Sequence, residues 1–159
     1  GVCGKTSIEA IYNQGCKISK SQFSIKHSKL TELPKKLRAQ QIIFGETGGL
    51  HAAAVFNAHG EIILVREDVG RHNAVDKVCG YILKNKITTL DKYIITSGRI
   101  SSDILLKAAF IGIPLIVSRS APTALTIKLA KKLNICVIGF ARGNKVNIYS
   151  NIEKIKMTF

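Results

Sequence analysis

The chain has 159 residues, 46% of them hydrophobic, which suits one domain with one core spanning residues 1–159. Lys and Arg number 24 against 10 Asp and Glu, and the formal net charge of +14 points to an anionic partner: nucleic acid, anionic lipid or a phosphate-rich ligand. No run of about 18 apolar residues is present, which excludes a membrane-spanning helix.

In chain order, a first helix is expected near Thr6, where Glu9 three residues on gives a capping-box spacing. Residues 15–30 are polar and lysine-rich and read as loop or an irregular edge. A second helix is expected over 32–46, with Leu33, Leu37 and Phe44 on one face and Pro34 tolerated in the first turn. Gly48-Gly49 breaks it. A hairpin follows, with strands at 51–56 and 61–66 and a turn through Asn57-Ala58-His59-Gly60. The pattern then predicts a helix over 71–84 with Val75, Val78 and Ile82 inward, a strand over 93–96 and a helix over 102–111. A strand over 115–118, a helix over 122–133, a strand over 136–140 and a last strand over 146–149 complete it. Strands alternating with helices at this spacing imply a three-layer α/β/α sandwich on a mixed sheet, its antiparallel part supplied by the hairpin.

Ligands in such sheets collect at the carboxyl ends of the parallel strands. Those ends read Ser97-Gly98-Arg99, Ser118-Arg119-Ser120 and Phe140-Ala141-Arg142-Gly143, and each couples an arginine to small residues. The repetition points to an anion site. The densest polar run is Arg66-Glu67-Asp68-Val69-Gly70-Arg71-His72-Asn73-Ala74, between an apolar strand and an apolar helix. A plain capped turn with a solvated charge cluster needs fewer polar side chains; a binding loop would use Arg66 and Arg71 to hold phosphate or purine oxygens and Asp68 to orient them. His51, in Thr47-Gly48-Gly49-Leu50-His51, and His72 are each either acid/base groups or hydrogen-bonded structural residues. Phe140, Ala141, Arg142, Gly143, Asn144 and Lys145 form a basic turn that reads both as a hairpin with Gly143-Asn144 at its tip and as a phosphate grip.

The cysteines, Cys3, Cys16, Cys79 and Cys136, are widely spaced without a C-x-x-C pair, so neither a zinc ribbon nor a disulfide framework is expected. Reduced thiols and a cytoplasmic location are expected instead. Cys3 sits between glycine-flanked residues ahead of a predicted helix and beside Lys5, which favours the thiolate. Cys79 and Cys136 lie in apolar runs and read as inert core; Cys16 is undecided. The chain opens at Gly1 without a signal-peptide pattern and without methionine, and is expected to be part of a longer protein.

Taken in order, Gly-Val-Cys-Gly-Lys, Thr-Gly-Gly-x-His, Arg-Glu-Asp-Val-Gly-Arg-His-Asn-Ala, Ser-Gly-Arg, Ser-Ala-Pro and Gly-Phe-x-Arg make six blocks over roughly residues 1–150. They resemble the formate dehydrogenase accessory sulfurtransferases, the FdhD family. The resemblance implies a cytidine deaminase-like fold acting without zinc, and a sulfur carrier. Such a carrier takes persulfide sulfur from a cysteine desulfurase and passes it to molybdenum bis(molybdopterin guanine dinucleotide) for formate dehydrogenase. GDP would mimic part of that ligand, and a homodimer is expected. The family motif is C-G-x-C-G with its first cysteine usually the persulfide carrier. Cys3 matches the second cysteine, the first would stand immediately before Gly1, and a chain so placed is expected to bind cofactor better than it transfers sulfur. The family's guanine-dinucleotide segment matches residues 140–145, with Arg99 and the loop from Arg66 to His72 expected nearby.

Three other readings are weaker. A zinc base deaminase needs H-x-E and P-C-x-x-C, and neither occurs. A nucleic-acid-binding module fits the charge, but the six Phe and four Tyr are not interleaved with the basic clusters. A Cys-His hydrolase needs a nucleophile and base brought together, which spacing alone does not provide. No metal site is expected, because no cluster offers three soft ligands at workable spacing.

Overall fold

The structure is a computed structural model that describes Ala10 and residues 15–157. The helix expected near Thr6, and Cys3 with it, lie outside the described residues. The strands are β1 (Ile25–Lys26), β2 (His51–Phe56), β3 (Ile62–Asp68), β4 (Tyr93–Thr96), β5 (Leu115–Ser118), β6 (Cys136–Arg142), β7 (Lys145–Ile148) and β8 (Ile155–Lys156). The helices are α1 (His27–Gln40), α2 (Ile42–Thr47), α3 (Arg71–Lys84), α4 (Ser102–Phe110) and α5 (Ala124–Leu133). Six strands form one mixed sheet in the order β3-β2-β4-β5-β6-β7, and β1 pairs with β8 in a separate parallel ribbon. The central β4, β5 and β6 are parallel, while β2, β3 and β7 run antiparallel to their neighbours.

Each face of the sheet carries its own core. Val75, Val78 and Ile82 of α3, Ile104 and Leu105 of α4, and Leu129 and Leu133 of α5 pack on one face, against Ala53, Ile94, Ile116 and Val137. On the other face Leu30, Leu33 and Leu37 of α1 meet Ala52, Phe56, Tyr93, Ile95, Val117 and Ile138. The three-layer α/β/α arrangement on a mixed sheet follows from this division. Alternating strand residues feed opposite cores, as the period of two requires, and each buried aliphatic side chain contributes roughly 1.5–3 kcal/mol.

From Arg71 onward the predicted elements match to within two residues at each end, but the strand expected over 146–149 is not the last, since β8 follows it and pairs with β1. The helix expected over 32–46 differs. It begins five residues earlier, because Leu30 opens a stripe of Leu30, Leu33, Pro34 and Leu37 at helical spacing against the sheet. Pro34 is therefore inside the helix, not in its first turn. The helix stops at Gln41, whose backbone (φ −83°, ψ 76°) leaves the helical region, and α2 starts on a new axis. Phe44 consequently leaves the face shared by Leu33 and Leu37; it is half-buried, with the Arg38 guanidinium 4.7 Å over its ring. The segment expected to be loop or an irregular edge over 15–30 supplies β1 and the first turn of α1.

Close packing near the ends of β5 and β6 depends on one glycine. A Cβ on Gly139 would lie 2.9 Å from Pro122 Cδ, 2.9 Å from Tyr149 Cε2 and 3.0 Å from the Ser120 carbonyl oxygen. Gly80, exposed inside α3, has nothing within 4 Å of that position. Gly139→Ala is expected to lower stability by about 1–3 kcal/mol through overpacking. Gly80→Ala is expected to raise it by about 0.5–1 kcal/mol by helix propensity. Thermal or denaturant unfolding of both variants measures the opposite signs.

Candidate functional site

The parallel strands end on one edge of the sheet, where β4 and β5 each lead toward a helix and β6 turns back into β7. Arg71 opens α3, Ser101 caps α4 through its side chain, and Thr123 caps α5 in the same way, so three helix N-termini point their positive ends to this edge. The antiparallel strands add to it: His51 opens β2 opposite Asp68 at the end of β3, and the two-residue turn between β6 and β7 lies there as well. Thr96, Ser118 and Ser120 lock the loops together. Arg119 N–H donates to the Thr96 carbonyl, Ser118 Oγ to the Gly98 carbonyl at 2.6 Å, and Phe140 N–H to the Ser120 carbonyl at 3.1 Å.

Within that frame the site residues form two neighbouring groups. The first contains Arg71, His51 and Gly98. A Cβ on Gly98 would stand 2.9 Å from Arg71 Cβ and 3.3 Å from His51 Nδ1, so only glycine lets Arg71 cross the end of β4. His51 Nδ1 is 3.2 Å from Ser97 Oγ, which also accepts the Ala52 N–H. His72 Nε2 is 3.0 Å from Ser101 Oγ. Both histidines are thus tied to serines at the same edge. The Arg71 Nε is buried and has no hydrogen-bond partner.

The second group is the 140–145 turn. The Arg142 Nε donates to the Arg119 carbonyl at 3.0 Å, and its guanidinium lies 5.9 Å over the Phe140 ring. Phe140 adopts φ 49°, a left-handed conformation that a non-glycine residue seldom takes, and the β6–β7 register slips between Gly139 and Arg142. Phe140 is 38% exposed, so the strained backbone holds an aromatic side chain partly in solvent beside Arg142. Ala141 is buried beneath it; Gly143, Asn144 and Lys145 are exposed. Arg99 is exposed one residue beyond Gly98.

Arg66 and Asp68 do different things. Arg66 turns along α3, 5.3 Å over the Tyr81 ring, with Nη1 on the Val65 carbonyl, and does not join the arginines at the edge. Asp68 accepts from Lys77 at 2.7 Å, from the Gly70 N–H at 2.9 Å and from Asn73 at 3.2 Å. Glu67 accepts the N–H groups of Ile43 and Phe44 and so holds the start of α2. The carboxylates of the polar run are therefore committed to protein donors. Among the described residues none of the six arginines has a carboxylate partner, and four of them, Arg71, Arg99, Arg119 and Arg142, stand at this edge. An edge with free guanidinium groups, free backbone at a turn and three helix N-termini can hold phosphate through paired, charge-assisted hydrogen bonds.

One lining residue escaped the sequence reading. Gln41 is 3% exposed, lies at the break between α1 and α2, and lines a cleft of about 300 Å³ beside His51 and Arg119. In sequence it looks like an ordinary polar helix position, and the break that buries it is visible only in the backbone. Among the described residues no group of His, Cys, Asp and Glu could hold a metal ion, and no helix is long and apolar enough to cross a membrane.

A family model described as the FdhD/NarQ family matches residues 1–156. The chain belongs to that family. It is 46% identical over 156 residues to the sulfur carrier protein FdhD of Picrophilus torridus, covering 98% of this chain and 60% of that protein. It is 42% identical over 157 residues to the sulfur carrier protein FdhD of Bacillus subtilis, with 97% and 59% covered. Among solved structures, a candidate formate dehydrogenase accessory protein from Desulfotalea psychrophila superimposes with a TM-score of 0.79 at 32% identity, over 86% of this chain and 58% of that one. The chain spans about 60% of the length of the FdhD/NarQ relatives it matches.

Asp68 offers a pH-dependent check on how this edge is built. Its hydrogen bonds with Lys77, then Gly70, bring its pKa down from 3.8 to about 2. A carboxyl lowered in the folded state adds stability that is full above its unfolded value and is lost as pH falls through the folded one. Asp68→Asn is expected to lower the melting temperature at pH 7. Its deficit should shrink as pH falls from about 4 to about 2, which a pH series of thermal melts would record.

Proposed function

We propose that this chain is the cofactor-binding part of a sulfur carrier serving formate dehydrogenase. Its substrate would be the molybdenum bis(molybdopterin guanine dinucleotide) cofactor, and the sulfur would come as a persulfide from a cysteine desulfurase. The observation that carries the reading is the edge itself: four arginines without carboxylate partners, one of them with a buried, unpartnered Nε, at the converging ends of parallel strands. A ligand with several phosphates and two guanines matches that donor set, and the +14 charge favours its approach. The names borne by relatives that share over 40% of this sequence support the sulfur-carrier role.

The cysteines divide in the same sense. Burial pushes the Cys79 thiol up to about 11, with Asp76 adding to the shift, and the Cys136 thiol up to about 12, with Glu153 adding. Burial also raises Cys16, whose Sγ lies against the Leu106 carbonyl. A sulfur carrier needs an accessible thiolate, and these three are poor candidates. Cys3 matches the second cysteine of the family motif, whose first is usually the persulfide carrier, and is the reactive-thiol candidate of this chain.

Two measurements test the proposal. Charge-assisted hydrogen bonds contribute roughly 1.5–3 kcal/mol each, and each 1.4 kcal/mol is about a factor of ten. Arg142→Ala is therefore expected to weaken GDP binding about ten- to a hundredfold by calorimetric titration, whereas Lys84→Ala, at the far end of α3, leaves it unchanged. Equal affinities for the two variants, or salt-dependent binding of any oligonucleotide in preference to GDP, would replace this reading with diffuse nucleic-acid binding. Timed alkylation with peptide mapping is expected to label Cys3 before Cys79 and Cys136. Labelling of Cys79 at an equal or faster rate would remove Cys3 as the reactive thiol.

A further inference from the structure

The parallel strands start at the end of the domain opposite the arginine edge, and that end carries lysines instead. Lys84 and Lys86 stand at and just after the end of α3, and Lys131 and Lys132 in the last turn of α5. Lys17 and Lys20 lie on the segment tied to the end of α5. All six are exposed, and among the described residues none has a carboxylate partner. The acids at this end are engaged: Asp91 pairs with Lys92 at 2.7 Å, and Glu153 accepts from Asn151 Nδ2 at 3.3 Å.

Lys17 and Lys20 line a cleft of about 560 Å³ whose other walls include Ile18, Leu90, Phe110 and Ile113. Ile18 is 49%, Leu90 52% and Phe110 54% exposed. Large apolar side chains half in water around one cleft mark a surface that another molecule covers. The walls are fixed by the fold. Ser19 N–H donates to the Leu133 carbonyl at 2.9 Å, Asn134 Nδ2 to the Ser19 carbonyl at 2.8 Å, and Cys16 Sγ to the Leu106 carbonyl at 3.5 Å. Gly15, at φ 87°, passes so close that a Cβ there would stand 3.0 Å from Phe110 Cε2, which seats the ring without covering it. Walls held in this way lower the ordering cost of binding.

A concave apolar slot rimmed by lysines complements apolar side chains flanked by carboxylates. Lysine presents a hydrated point charge that meets a carboxylate at a rim without the planar fit that arginine gives to phosphate. Among the described residues Phe110 is the one aromatic lining the cleft, so successive bases have no stacking platform there. A bilayer surface does not enter a concave slot. The adjoining cleft shares Phe110 and Ile111 but is lined by Asp76 and Asp103, which favours an anionic ligand on the lysine side.

We infer that this lysine-rimmed cleft docks a segment of a partner protein, with large apolar side chains in the cleft and Asp or Glu residues on Lys17, Lys20 and the lysines around them. The surface lies at the far end of the sheet from the arginines and is independent of the nucleotide-binding reading.

The test starts with selection of short peptides from a random display library on the full chain. Enriched sequences are expected to combine large apolar residues with several Asp or Glu. The most enriched peptide, made synthetically with a fluorescein label, is titrated by anisotropy against the wild type, Phe110→Asp, the double variant Lys17→Glu/Lys20→Glu, and Arg142→Ala. Phe110→Asp is expected to weaken binding about tenfold or more. The double variant should weaken it about three- to tenfold, with most of that difference lost at high salt. Arg142→Ala should bind the peptide as the wild type does. All three substituted positions of the cleft are exposed, so melting temperatures should stay near that of the wild type, and the two variants report separately on apolar and charged contacts. The inference is overturned if no apolar-acidic sequence is enriched, or if both variants bind the peptide as the wild type does. It also falls if the wild type binds no such peptide but sediments with phosphatidylglycerol vesicles, or forms a dimer that Phe110→Asp dissociates; the cleft then belongs to a lipid surface or to a second copy. GDP affinity is expected to be the same in Phe110→Asp and the wild type, so failure here leaves the nucleotide-binding reading standing.

Discussion

Parallel pairing of β4, β5 and β6 is the constraint on which the rest of this structure depends. Two parallel neighbours cannot be joined by a tight turn, so each connection must cross over through a helix and return. Every such crossover leaves from the carboxyl end of a strand and enters a helix at its N-terminus. The loops at 97–101 and 119–123 are therefore forced onto one edge, with the helix dipoles of α4 and α5 aimed at it, and the β6–β7 turn joins them because β6 runs parallel to β5. The antiparallel hairpin of β2 and β3 brings the start of β2, the end of β3 and the start of α3 to the same place. Arginines far apart in sequence meet there because of strand direction.

The charge balance of the edge follows from which carboxylates are already occupied. Glu67 and Asp68 stand beside the arginines in sequence, yet they satisfy backbone N–H groups of α2 and α3 and the ammonium of Lys77. Acids that hold helix starts in this way do not neutralise a neighbouring guanidinium. The edge remains positive without losing its local order. Gly98 and Gly139 contribute sterically, since each admits a side chain or a backbone oxygen closer than a Cβ would allow. Phe140 is the complementary case: its left-handed backbone is costly, and the Ser120 carbonyl and the slipped β6–β7 register hold it in place.

Membership of the FdhD/NarQ family, the α/β/α layering and the elements after Arg71 were legible in the sequence. Apolar residues there recur with clean periods of 3.6 and 2, and turn residues mark the boundaries. The region before Gly48 was less legible. Pro34 resembles a helix start because its missing N–H is harmless in a first turn. The burial of Leu30 against the sheet outweighs that signal and extends α1 by one and a half turns toward the N-terminus. The break at Gln41 leaves no mark in composition, since the chain reads Gln-Gln-Ile-Ile across it.

For the site, the sequence by itself determined which loops carry arginine and small residues, and that Cys79 and Cys136 lie in apolar runs. Those properties are local, and composition and spacing record them. Tertiary structure alone decided where each arginine goes. Arg66 and Arg71 are five residues apart in one motif, yet Arg66 lies over Tyr81 while Arg71 crosses the end of β4 with a buried, unpartnered Nε. It also decided that Gln41, an unremarkable polar residue in the chain, is buried with an orphaned oxygen at the edge of the arginine cluster. The reason is that hydrogen bonding and desolvation depend on neighbours brought together by strand pairing and helix packing, and those neighbours are distant in the sequence.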